Sequence, residues 1–137
     1  MLKHNAGFKE LEHTADVALE VWGPTMESLL EQAAKGMYSI TQTELQEQKR
    51  TQMEIHLEAL DLEGLLVDFL NELLYLGESQ RLAFDEYKIT VNDKNLSAII
   101  TGAPVKRQVK EIKAVTYHNL NIHKTENGLL VRIVFDV

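Results

Sequence analysis

Between Asp61 and Gly77 the chain reads Asp-Leu-Glu-Gly-Leu-Leu-Val-Asp-Phe-Leu-Asn-Glu-Leu-Leu-Tyr-Leu-Gly. Leu62, Leu65, Leu66, Phe69, Leu70, Leu73, Leu74 and Leu76 recur at helical spacing but cover most of the circumference, so the helix they predict has little surface to give to water. Asp61 is placed to cap its start and Gly77 to end it. A helix of this kind must be enclosed, so the rest of the chain has to supply apolar surfaces on several sides of it.

Alternating segments supply those surfaces. Phe8 to Leu11 reads as a strand, and so does Val17, Leu19, Val21 set against Asp16, Ala18, Glu20 and Trp22, with Asp16 starting the second on its less apolar face. Gly23-Pro24 ends it. Thr25 then caps a first helix whose stripe is Met26, Leu29, Leu30, Ala33, Ala34 and Met37. After a polar stretch from Thr41 to Arg50, Met53, Ile55 and Leu57 alternate with Glu54, His56 and Glu58, which makes His56 a solvated strand residue. Beyond the enclosed helix, Phe84, Tyr87, Ile89 and Val91 lead through Asn92-Asp93-Lys94-Asn95 into Leu96, Ala98 and Ile100, an antiparallel hairpin. Thr101-Gly102-Ala103-Pro104 interrupts that strand, and Val105 to Val109, with Lys106, Arg107 and then Lys110, reads as a basic, exposed, mobile loop. Glu111 to His118 fits a helical turn or a strand equally well. Glu126-Asn127-Gly128 predicts a tight hairpin at Asn-Gly, and the apolar run from Leu129 to Phe135 predicts a last strand inside a sheet. The order strand, strand, helix, strand, helix, then four strands is not the alternation of a parallel fold. It predicts one α+β domain over residues 1–137, mostly antiparallel sheet with two core helices.

Composition removes several chemistries. The 137 residues contain no cysteine, which excludes disulfides, thiolate zinc sites and cysteine nucleophiles. Fourteen Lys and Arg against 21 Asp and Glu leave a net charge of −7, which argues against autonomous binding of RNA or DNA and suits a basic protein partner. The N-terminal residues lack the apolar core of a secretion signal and no stretch approaches a membrane span, so a cytoplasmic protein is expected. Phosphate-binding glycine loops, Gly-x-Ser-x-Gly and His-Glu-x-x-His are absent from the sequence.

What remains is a concentration of oxygen ligands at the two ends. Asp136 and the terminal carboxylate of Val137 follow an apolar strand, and Glu12-His13-Thr14-Ala15-Asp16 precedes another. If the two strands share a sheet, three carboxylates meet, and a hard cation such as calcium or magnesium would neutralise them. Held against the body of the protein, two such carboxylates would cost several kcal/mol without compensation. Lys113, near Thr116, Tyr117 and His118, could provide it. Each residue also has an ordinary role: Asp16 as a turn cap, His13 as a hydrogen-bonded strand-start residue, Lys113 as a solvated lysine. A metal-dependent hydrolase using Asp16, Asp136 and His13 stays open, though without a recognisable nucleophile.

Glu12-His13-Thr14-Ala15-Asp16, the helix Leu65 to Leu74, Glu111-Ile112-Lys113-Ala114-Val115-Thr116-Tyr117-His118 and the terminal Phe135-Asp136-Val137 together resemble the archease family, collinearly and over nearly the whole chain. The resemblance implies a small, non-enzymatic factor that activates the RtcB-type RNA ligase, the GTP- and manganese-dependent enzyme that joins tRNA exon halves, by promoting guanylylation and multiple turnover. An older description of such proteins is a chaperone around RNA-modifying enzymes. The resemblance also implies a metal site, usually calcium, on Asp16, Asp136 and Val137, and it makes Lys113, with His13 nearby, a position expected to matter for activation. Phe69 stands where the family has Trp, a change of aromatic size in the core.

Overall fold

The structure, a computed structural model, describes residues 5–11, 16–47 and 49–137. In chain order its elements are β1 (Gly7–Leu11), β2 (Val17–Gly23), α1 (Met26–Thr41), β3 (Glu44–Leu45), β4 (Thr51–Glu58), α2 (Leu62–Gln80), β5 (Leu82–Asn92), β6 (Asn95–Arg107), β7 (Ala114–Thr116), β8 (His123–Thr125) and β9 (Gly128–Asp136). They form two antiparallel sheets. The five-stranded sheet runs β1-β2-β9-β7, with β8 also paired to β9. In the four-stranded sheet β6 is the spine, paired with β3, β4 and β5. The α+β architecture expected from the sequence is therefore the one observed.

The helices lie between the sheets. α1 packs on β1, β2 and β9 of one sheet and on β5 of the other, while α2 packs on β7 and on β4, β5 and β6. This is the enclosure that α2 demands: Leu65, Leu66, Phe69 and Leu70 have no exposed surface. At about 25 cal/mol per Å² of apolar area, each such side chain contributes roughly 1.5–3 kcal/mol. α1 starts in a reciprocal capping box, in which Thr25 Oγ1 accepts the Ser28 N–H and Ser28 Oγ accepts the Thr25 N–H. Its Gly36 lets the helix approach β2, because a Cβ there would lie 2.5 Å from Leu19 Cδ2. No described helix is long and apolar enough to cross a membrane.

Several boundaries differ from those the sequence suggests. α2 does not stop at Gly77 but runs to Gln80, where Arg81, with φ of 55°, donates its N–H to Gly77 O at 3.0 Å. The polar stretch before β4 contains β3, so two strands, not one, lie between the helices. Thr101-Gly102-Ala103-Pro104 does not interrupt β6, which continues to Arg107. Pro104 is tolerated because it falls between the end of β4, with Thr51 opposite Gly102, and β3, with Leu45 opposite Val105. There only its carbonyl is needed, and it accepts the Gln46 N–H at 2.9 Å. Lys106 and Arg107 thus belong to a strand, and Val109 and Lys110 donate their N–H groups to Thr41 O, so this is not a free loop. The ambiguous stretch Glu111 to His118 resolves as a short strand, β7, and with β8 five strands follow α2 where four were expected. In the last hairpin Thr125 faces Gly128, so Glu126-Asn127 forms the loop and Gly128, at φ of 133°, opens β9. His56 is exposed as expected and shares a hydrogen bond with Ser97 Oγ at 3.2 Å.

Candidate functional site

The strand register brings the two ends of the chain together. Val17 is opposite Phe135, so Asp16, one residue earlier, and Asp136, one residue later, lie at the same end of β2 and β9. On the other side of β9, Asp136 is opposite Ala114, and the Lys113 N–H donates to Asp136 O at 2.8 Å. Asp16, Lys113, Asp136 and Val137 are therefore gathered at one edge of three adjoining strands. His13, with Glu12 and Thr14, lies outside the described residues.

Their surroundings correct one expectation. Burial of the last strand stops at Phe135: Asp136 is exposed, Val137 is 44% exposed, and Asp16 is only partly buried. The carboxylates stay in contact with water, so desolvation does not force a cation upon them. Lys113 does not compensate them with its ammonium either: it makes no ion pair among the described residues, and its tie to Asp136 runs through the backbone. Among the described residues no group of three or more Asp, Glu or His side chains is poised around a common point. The residues that the register brings to this strand end, Asp16 and Asp136 with Val137 next to them, offer only oxygen, and such a set fits a hard divalent cation and not a soft one.

Two polar residues of α2 tie down the segment that runs from β7 to β8, the first beside this strand end and the second nearer the opposite end of β9. Asn71 Oδ1 accepts the Val115 N–H at 3.2 Å, and Glu63 Oε2 accepts the Ile122 N–H at 2.9 Å. Ile112 and Val115, each 5% exposed, pin the same segment to the core. The signal for Asn71 is its place between Leu70 and Leu73 on the enclosed helix, half-buried, where a polar side chain needs a partner. Tyr117, just past β7, has its pKa raised by partial desolvation and then by the carboxylates of Asp68 and Asp61. His118 is exposed, its N–H bonded to Thr116 Oγ1 and its Nε2 near Asn119 Nδ2.

The fold and the site define a small α+β protein built of two antiparallel sheets around two helices, with Asp16 and Asp136 brought to one end of adjoining strands. The archease family matches residues 8–137, and the chain belongs to that family. The protein archease of Methanosarcina barkeri is 37% identical over 95% of this chain and 95% of its own. That of Pyrococcus furiosus is 33% identical over 88% of this chain and 91% of its own. Among solved structures, one described as an archease, possible chaperone, from Thermotoga maritima superposes with a TM-score of 0.70 at 28% identity, covering 94% of this chain and 96% of that one. A Methanobacterium thermoautotrophicum protein solved in solution gives the same TM-score of 0.70 at 27% identity, over 96% and 99% of the two chains.

Proposed function

We propose that this protein is a metal-binding factor that activates an RtcB-type tRNA-splicing RNA ligase in the cytoplasm, promoting guanylylation and multiple turnover, and that it acts by binding and not by chemistry of its own. Asp16, Asp136 and Val137 hold a divalent cation, calcium by ligand preference. Lys113 and His13 serve contact with the ligase or its nucleotide. The observation that carries the reading is the register that puts Asp16 beside Asp136 and ties Lys113 to the same strand end. A ligase cleft built for RNA is basic, and a partner with a net charge of −7 is steered toward it. The test is RNA ligation by the cognate ligase at substoichiometric concentration, with and without this protein. Stimulation of multiple turnover is expected, and none would reject the reading.

A chaperone role, the one suggested for the Thermotoga protein, is the second reading. It is favoured by exposed large apolar residues, among them Tyr75 and Tyr117, each 60% exposed. It predicts suppression of aggregation of unrelated proteins. A hydrolase using Asp16, Asp136 and His13 instead predicts turnover by the isolated protein.

A further inference from the structure

The basic segment 106–113, Lys-Arg-Gln-Val-Lys-Glu-Ile-Lys, carries four cations and one carboxylate in a chain whose net charge is −7. It passes beside a cavity of about 450 Å³ between the ends of α1 and α2 and the start of β5. The floor is apolar: Met37, Leu73, Leu82, Ala83 and Ile112 line it, and all are buried. At the mouth stand Tyr75, Arg81 and Lys113, with Glu78 and Glu111 as the local acids. Lys106, Arg107 and Lys110 are exposed alongside it and turn the local balance positive. The wall is held in shape by the bonds from Val109 N–H and Lys110 N–H to Thr41 O and from Gln108 Nε2 to Lys110 O.

We propose that this cavity and its basic border receive an acidic segment of a protein partner, one apolar side chain filling the cavity while neighbouring carboxylates face Arg81, Arg107, Lys110 and Lys113. The inference rests on the reading that the protein works by binding another protein. A concave site with apolar side chains at its floor and polar and charged groups around them suits an anchoring side chain whose neighbours are polar, and such anchors are where binding energy concentrates. The charge selects the flanks: cations clustered locally on an acidic protein attract a short acidic stretch, whereas a long polyanion such as RNA meets repulsion from the rest of the surface. Lys113 links this site to the strand edge, because the same residue borders the cavity and donates its backbone N–H to Asp136.

Short peptides selected on the intact protein from a random display library provide the test. The expected enrichment is for one large apolar residue flanked by Asp or Glu, with binding that weakens as salt rises. Tyr75→Ala and the double change Arg107→Glu/Lys110→Glu alter exposed side chains and should leave the melting temperature unchanged, yet each should weaken the selected peptides by about tenfold or more. No enrichment, enrichment without acidic residues, binding indifferent to both variants, or a short oligouridylate binding as tightly as the best peptide would each overturn the proposal. Ligase stimulation by the wild-type protein is measured in parallel. Its absence rejects the proposed function, whereas intact stimulation with a failed peptide selection rejects only the cavity.

Discussion

The two faces of the segment around Lys113 differ in how they are built. Toward β9 lies an edge made of backbone order and carboxylates; toward α2 lies a cavity with an apolar floor and charged side chains of both signs at its mouth. In the first, the fold contributes position alone, since Asp136 and Lys113 remain exposed. In the second, it contributes a concave surface. Water-exposed carboxylates need a ligand of high charge to gain much on binding, while a cavity with an apolar floor gains from a side chain that covers that floor and pairs with the polar groups around it. The two sites should therefore respond to different changes.

The largest effect is expected at the acidic edge. Asp136→Ala should abolish calcium binding measured calorimetrically, together with ligase stimulation, while leaving the fold intact, because the side chain is exposed. Asp16→Ala should match it, and the double variant should be little worse than either single one, as for residues acting through a common ion. Additive losses would separate their roles. Next comes the shared residue: Lys113→Ala should keep calcium binding and change stability by no more than about 0.5 kcal/mol, yet lose stimulation. Lys113→Arg should restore only part of it, since a guanidinium fork does not reproduce a compact ammonium. Full stimulation by the Ala variant would confine function to the carboxylates.

Smaller effects should come from the supports. Asn71→Leu removes the acceptor of the Val115 N–H and should cost about 1–3 kcal/mol in urea denaturation, weakening calcium affinity as a secondary consequence of loosening β7. An unchanged affinity would show that the acidic edge does not depend on β7. Least of all, Tyr38→Phe should be neutral or slightly stabilising, because the buried hydroxyl has no hydrogen bond of normal geometry among the described residues, although the Phe84 backbone lies near it. Burial holds the Tyr38 pKa well above its unfolded value of 10. The sign follows: stability is intact below pH 10 and falls above it as the unfolded chain ionises first, by about 1.4 kcal/mol per pH unit for this residue. Tyr38→Phe should remove that part of the alkaline slope.

Much of this was readable from residue pattern. Asp61 caps α2 by accepting the Gly64 N–H at 2.7 Å, Thr25 caps α1, and β9 is an interior strand, all as alternation and capping chemistry suggest. What escaped were places where tertiary partners override a local signal. Pro104 breaks a strand unless its missing N–H happens to face a gap between two neighbours, and Gly77 ends a helix unless a later residue, here Arg81, adopts the left-handed conformation instead. β3, two residues long, exists only because β6 runs past β4. At the site, the pairing of chain ends was foreseeable from the apolar run up to Phe135, but the exposure of Asp136 was not. Alternation says which residues share a face, not where the covering layer stops.

β9 has neighbours along both edges, β2 on one and β7 and β8 on the other. Freeing any of its central amides requires breaking two ladders and opening the core around Val131, Ile133 and Phe135, none of which has exposed surface. Hydrogen exchange there should follow global unfolding, with only the last residue fraying. Asp136 is thus carried by a strand laddered on both sides, and whatever binds its carboxylate meets a backbone already ordered there, leaving little more than the rotamers of a short side chain to be restricted.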